Sequence, residues 1–457
     1  MHATRNTDLN RLGQVVNAFM EEHGVPGVAV GILHEGEIAA AGFGVTNVDH
    51  PLPVTDETLF QIGSITKTFT GTAIMRLVER GKVDLDAPAR TFLPDFKVAD
   101  KAASSQATVR HLLTHMGGWI GDFFHDTGGG DDALPRYVAE MVDLEQLAPL
   151  GTVWSYNNAG FYVAGYIIET VTGKSYQAAL SELVLEPLGL ENVYLDPGDV
   201  MTHRFAVGHN VEKEGAQVAR PWPLPRAAYP AGGIACRVKD LLRYARFHLG
   251  DGTAKDGTRL LEATSMALMH SPQVSIWGAD ESMGLTWFVT DVDGTRQLSH
   301  GGGTVGQISL LTLVPEHNFA VAVFTNANRG GFVTHDVTRW ALKHYLGLES
   351  PEPTPLESSE GELKPYVGHY SRPYSDADLY MQDGQLLIQM TPKGGFPAKD
   401  SPPSPAPPPM VCALCEKDRL LVLDGPFKDS KAEIVRRPDG SIGWLRMSRR
   451  IHRRENK

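Results

Sequence analysis

Phe60-Gln61-Ile62-Gly63-Ser64-Ile65-Thr66-Lys67-Thr68-Phe69 is the stretch around which the chain is organised. A short apolar run ends at Gly63, a serine follows, and a lysine stands three residues later. Beyond Ser64 the pattern turns helical. Phe69, Ala73, Ile74, Leu77 and Val78 share one stripe, and Gly81 stops it. Residues three apart on a helix share a face, so the spacing predicts Lys67 beside Ser64, one turn up. A serine in the first turn sits at the positive end of the helix dipole, where developing negative charge is favoured. An amine within reach of a hydroxyl is what activation of a poor nucleophile requires. Taken alone, Ser-x-x-Lys describes a solvated helix start equally well.

Upstream, Leu12, Val15, Val16, Phe19 and Met20 predict a helix over 8–23, followed by strands at 28–33 and 38–43. Downstream come a short helix at 109–115 and a glycine-rich insertion with the aromatics Trp119, Phe123 and Phe124. Long loops of that kind wall binding sites. His111 and His115 have the i, i+4 spacing of a metal pair, but Leu112 stands where a zincin needs glutamate, so a structural role is expected. Helices follow over 132–144, 159–173, 174–186 and 238–249, with a Pro-rich loop at 221–230. Strands at 284–290, 296–300, 307–314 and 319–325 precede a final helix at 332–346. Strands, many helices, then strands and a helix predict an α/β (α+β) sandwich in which both ends share an antiparallel sheet. Nothing alternates as βαβ, which disfavours a doubly wound sheet.

Residues 349–362 read as a Pro-, Ser- and Glu-rich linker between a domain at 1–348 and a small all-β, barrel-like domain at 363–457. The Pro-rich segment 392–410 reads as a long loop on that barrel. The arginines 446, 449, 450, 453 and 454 read as a solvated strand end and tail. Cys412 and Cys415 lack a second pair and read as ordinary buried thiols.

The formal net charge is −12 and 42% of residues are apolar. That balance argues against nucleic acid or an anionic membrane surface as partner. The first residues carry no apolar signal core and no run is long enough to span a bilayer, so a cytoplasmic protein is expected. Three cysteines agree with a reducing compartment.

Two further patterns change the weight of Ser64-x-x-Lys67. Tyr156-Asn157-Asn158 stands in the loop before a helix, and His300-Gly301-Gly302-Gly303 stands at a strand end. Singly, these are a helix cap and a tight hairpin. In this order they match Ser-x-x-Lys, Tyr-x-Asn, (Lys or His)-x-Gly, and over about 10–346 the chain resembles the serine β-lactamase and penicillin-binding-protein superfamily. It is similar to the branch with class C β-lactamases, family VIII carboxylesterases, D-aminopeptidases and D-alanyl-D-alanine carboxypeptidases. His111-Leu112-Leu113-Thr114-His115 and Tyr229-Pro230-Ala231-Gly232-Gly233-Ile234 look like that family's recurring segments.

The resemblance implies an antiparallel sheet flanked by helices, with the site between sheet and helical region. It implies Ser64 as the acyl-forming nucleophile, with Lys67 and Tyr156 sharing the proton work at lowered pKa values. Asn158 would bond Lys67 or the substrate amide, and His300 would line the opposite wall. The backbone N–H groups of Ser64 and Gly303 would form the oxyanion hole. The glycines at 301–303 would let the strand backbone approach the substrate closely, with Gly301 and Gly302 bordering it, and from the loop reading above Trp119 and Phe123 would border it too. No metal or cofactor is implied; the partner is a small ester, amide or peptide substrate, and the oligomeric state stays open.

One departure stands out. β-Lactamases usually carry lysine where this chain has His300, and a histidine need not be charged at pH 7. That looks more like the esterases and D-amino-acid-directed peptidases of the branch; the leading expectation is a serine hydrolase of small esters or amides, with a D-amino-acid-directed peptidase or transacylase as alternative and a non-catalytic binding member as a remote one. The β domain resembles lipocalin-like appendages of some members, and the 392–410 loop is expected to reach the Ser64 cleft.

Overall fold

The computed structural model describes residues 2–278, 280–394 and 401–455. Helix α1 (His2–His23) leads into strands β1 (Gly27–His34) and β2 (Glu37–Gly44). A 3₁₀ turn at Gly63–Ile65 opens α2 (Thr66–Glu79), and a helical region follows that includes α3 (Ala159–Thr172) and α4 (Val238–Leu249). The chain then returns to the sheet with β3 (Val274–Trp277), β4 (Glu281–Met283), β5 (Phe288–Val292), β6 (Thr295–Thr304), β7 (Gln307–Val314) and β8 (Phe319–Thr325). Helix α5 (Gly330–Leu346) completes the domain. The eight strands run in the order β2-β1-β8-β7-β6-β5-β4-β3, each pair antiparallel.

The sheet's central strands are buried on both faces, which explains their near-continuous apolar sequence. Side chains alternate across a strand. On β1, Ala29 and Leu33 join the large core shared with α2, α3 and α4. Val28, Val30 and Ile32 join a second core with Leu12 and Val16 of α1 and Val333, Val337 and Ala341 of α5. β8 repeats the division, with Ala320, Ala322 and Phe324 on one side and Phe319, Val321 and Val323 on the other. A helix layer therefore covers each face. Gly31 lets α4 come close, because a Cβ there would meet Leu242 Cδ1 at 2.6 Å.

The second domain is a closed barrel of eight antiparallel strands, β9 (Gly368–Arg372), β10 (Ser375–Gln382), β11 (Gln385–Pro392), β12 (Met410–Glu416), β13 (Arg419–Val422), β14 (Lys431–Arg436), β15 (Ile442–Met447) and β16 (Arg450–Glu455). β16 pairs back onto β9 through His369↔Glu455 and Ser371↔Arg453. Its interior is filled by side chains such as Tyr370, Leu379, Leu386, Ile388, Leu420 and Leu445.

Three differences from the sequence reading have physical causes. β3 and β4 were not legible, since each is short and carries no clean alternation. The segment 221–230 is a loop only up to Pro225, beyond which Arg226–Ala228 and Tyr229–Gly232 are helical turns. The basic run is no solvated tail: Arg446 is 5% exposed, and β16 is the strand that closes the barrel. The segment between Pro392 and Met410 joins two barrel strands as a loop, with Pro407 O accepting a bond from Gln389 of the barrel. Residues 395–400 of that loop lie outside the described residues.

Candidate active site

Ser64 is held by close backbone packing. Gly63 has φ +50, and a Cβ there would meet Gly303 N at 2.6 Å. A Cβ on Gly302 would meet Ile62 O at 1.8 Å. Glycine is thus required where the Ser64 turn lies against β6. β5 pairs with β6 only as far as Phe288↔Ser299, so residues 300–304 are strand-paired on the β7 side alone. The freed edge faces the Ser64 turn, and Ser309 Oγ pins that turn by donating to Ile62 O at 2.8 Å.

Lys67, on the first turn of α2, is fully buried. Its Nζ lies 2.9 Å from Ser64 Oγ and donates to Ala231 O at 2.6 Å. The rings of Tyr156 and Phe161 stand 5.2 and 5.4 Å away. Among the described residues no carboxylate pairs with it. Burial, helped by the nearby Arg450 charge and opposed by Asp122, pushes the amine well below the usual lysine range. The neutral amine is the form that can accept a proton.

Tyr156 behaves differently from the expectation of a lowered pKa. Burial pushes its hydroxyl up to about 12, although the Ser64 hydroxyl, Arg450 and Arg449 offset part of the rise. The Ser64 hydroxyl is near, but no hydrogen bond of good geometry joins the two. The phenol therefore keeps its proton at neutral pH. His115 stacks under the Tyr156 ring at 4.3 Å, and its Nδ1 accepts the Asn157 N–H at 2.9 Å.

His300 lies across from Tyr156, with ring centres 6.3 Å apart, and packs on Phe288 at 5.2 Å. Burial is the largest influence that lowers its pKa to about 3, so the ring is neutral. Its Nδ1 lies 2.6 Å from Gly301 O and donates there, which leaves Nε2 as the unpartnered acceptor. The cation on this wall comes from elsewhere. Arg449 lies 3.7 Å over the Phe288 ring and pairs with Glu281 at 2.6 Å.

Asn158 does not reach Lys67; it donates to Asp122 Oδ1 at 2.9 Å. Trp119, expected to border substrate, is 2% exposed and packs in the main core against Phe96. The loop that carries it folds inward because Gly118 O accepts from the N–H groups of Leu147 and Ala148, and the Gln146 side chain donates to Gly117 O. Phe123 is half-buried against Tyr137 and His125 rather than standing free. Gly301 is uncrowded, its nearest neighbour being Ser309 O at 3.6 Å from a built Cβ.

Sequence reasoning missed Asp122 and the barrel's arginines. Burial alone would raise the Asp122 carboxyl, but Arg450, Arg372 and Asn158 override it and hold it at about 2. Arg449 and Arg450 lie on and beside a two-residue turn between β15 and β16, Ser448-Arg449, with φ +49 and +65. Such a turn needs both residues left-handed, a conformation that costs non-glycine residues roughly 1–2 kcal/mol each. Arg449 O accepts the Tyr156 N–H at 2.9 Å, and Arg446 Nε donates to Trp154 O at 3.1 Å. The available signal was charge: a chain of net −12 that carries five arginines within 446–454.

A beta-lactamase family model matches residues 12–345. The chain belongs to the beta-lactamase family. This family member is 35% identical over 367 residues to Penicillin-binding protein 4 of Amycolatopsis lactamdurans, covering 78% of this chain and 96% of that one. It is 25% identical over 427 residues to the unguisins hydrolase of Aspergillus campestris, covering 87% and 73% respectively. Among solved structures it is similar to the octameric penicillin-binding protein homologue from Pyrococcus abyssi, with TM-score 0.67, 26% identity, and coverage of 98% and 100%. The beta-lactamase-family fold with a C-terminal barrel is therefore shared, within a family of serine hydrolases and penicillin-binding proteins. No helix among the described residues is long and apolar enough to cross a membrane. No group of three or more His, Cys, Asp or Glu side chains among them could hold a metal ion.

Proposed function

We propose that the protein is a serine hydrolase that cleaves small carboxylic esters or amides through an acyl-enzyme on Ser64. The observation that carries this reading is the 2.9 Å approach of Lys67 Nζ to Ser64 Oγ, with the amine fully buried. Ser64 attacks the substrate carbonyl as its proton passes to the Lys67 amine. The backbone N–H groups of Ser64 and Gly303 receive the oxyanion; losing one such donor costs about 3–4 kcal/mol of transition-state stabilisation. Collapse of the tetrahedral intermediate returns the proton to the leaving group through Tyr156. Water then releases the acid by the same route in reverse.

A D-amino-acid-directed peptidase or transacylase is the second reading. Arg449 supports it, since its half-exposed guanidinium could meet a substrate carboxylate that neutral His300 cannot. The relatives named as a penicillin-binding protein and an unguisins hydrolase agree with it. A weak β-lactamase side reaction fits either reading.

The test is a mixed-substrate assay read by mass spectrometry, with wild type and Ser64→Ala. An aryl ester, a D-amino peptide amide and a cephalosporin compete. The expected result is ester turnover with an acyl mass on Ser64. Preferred cleavage of the D-peptide moves the protein to the second reading, and absence of any acyl mass rejects both.

A further inference from the structure

The barrel meets the Ser64 site through an ion pair that neither domain completes alone. Arg450 of β16 grips Asp122 with two parallel bonds, Nε to Oδ2 and Nη2 to Oδ1, each 3.0 Å. Asn158 donates to Oδ1, and Arg372 donates to Oδ2 at 3.2 Å. The Arg450 guanidinium also stands 4.8 Å from the centre of the Tyr156 ring. Asp122 is almost wholly shielded from water, so protein groups must balance its charge.

We propose that Asp122 and Arg450 are positioning residues for the Ser64 reaction. The pair fixes Asn158 and the Tyr156 ring, and across the domain boundary it cancels a charge that would otherwise face Lys67. This rests on the acyl-enzyme reading above.

The groups around Lys67 can be named. Ser64 and Ala231 O bond it, the Tyr156 and Phe161 rings flank it, and His115 and His300 are buried neutral neighbours. Asp122 and Arg450 act on it with opposite sign. Further out, Arg372 shares Asp122, and Arg449 is paired with Glu281. Without the Arg450 guanidinium the balance tips negative, and Lys67 keeps its proton to higher pH. A protonated amine cannot take the Ser64 proton, so the acid limb of the rate profile must follow.

The test measures kcat/KM against pH for a p-nitrophenyl ester with the full chain, alongside fluorophosphonate labelling of Ser64. Arg450→Met is expected to move the acid limb up by about one pH unit, the scale of one unbalanced charge at an effective dielectric of about 20. Asp122→Asn moves it down, and the double variant returns it towards wild type. Opposite shifts from two neighbouring substitutions are not a signature of structural damage, and either single variant suffices if the other fails to fold. A limb that stays put in a folded single variant, while wild type turns over, overturns the proposal. If wild-type Ser64 is never labelled, the acyl-enzyme reading fails instead.

Discussion

Lys67 donates to the carbonyl oxygen of Ala231 at 2.6 Å, and this bond fixes where the amine's lone pair can point. With one hydrogen committed to Ala231, the amine in its deprotonated form would turn its lone pair towards the Ser64 hydroxyl, 2.9 Å away. The amine is aimed by a backbone carbonyl rather than by a carboxylate, so burial is the main influence that lowers its pKa.

Lys67→Met separates catalysis from stability. Acylation is expected to fall by about 10²–10⁴-fold, the usual worth of a positioned general base. The thermal midpoint should hold or rise, because a buried amine with no ionic partner lowers stability at all pH values below its unfolded pKa. Stopped-flow labelling and calorimetry on one sample read both.

Gly302→Ala and Gly301→Ala should differ sharply. The first places a methyl at 1.8 Å from Ile62 O and must displace the Ser64 turn or β6. The second meets nothing closer than 3.6 Å. Loss of kcat/KM by about 10²-fold or more is expected for the first, as misplacement by an ångström commonly causes, with a small change for the second. Steady-state assays check it.

Acid should destabilise the fold well above the carboxylate range. His300 and His452 have folded values of about 3 and His270 of about 4, against 6.5 for the unfolded chain. Between those limits the unfolded state binds more protons, so stability rises with pH up to 6.5 and falls below it. Each such group contributes a slope of about 1.4 kcal/mol per pH unit. Urea unfolding from pH 7 to 4.5 should show the fall, and His300→Gln should flatten it.

Arg449→Ala tests the wall opposite Tyr156. Turnover of an uncharged ester should change little, whereas a substrate with a free carboxylate should lose about tenfold in kcat/KM, the scale of one charged hydrogen bond. Equal losses for both substrates would make Arg449 a structural residue only.

The sheet and the Ser64 turn were legible because their constraints are local. Apolar runs marked β1, β7 and β8, and the glycines at 301–303 announced a close backbone approach. Asp122 was illegible because its meaning lies in Arg450, from another domain, and no spacing rule connects them. Trp119 misled for a related reason. An aromatic in a glycine-rich stretch looks exposed until the core partner, Phe96, is known. The Tyr156 pKa was misjudged because its sign follows from burial, which sequence does not report.

The pairing of β16 with β9 has a consequence in time. During synthesis Ser64 and Lys67 emerge before any barrel strand is made. Arg449 and Arg450 lie at the start of the strand that closes the barrel, so they reach Phe288 and Asp122 only once that strand has been made. A nascent chain therefore carries its nucleophile before the surroundings that govern it. The site is assembled last, at the moment of closure.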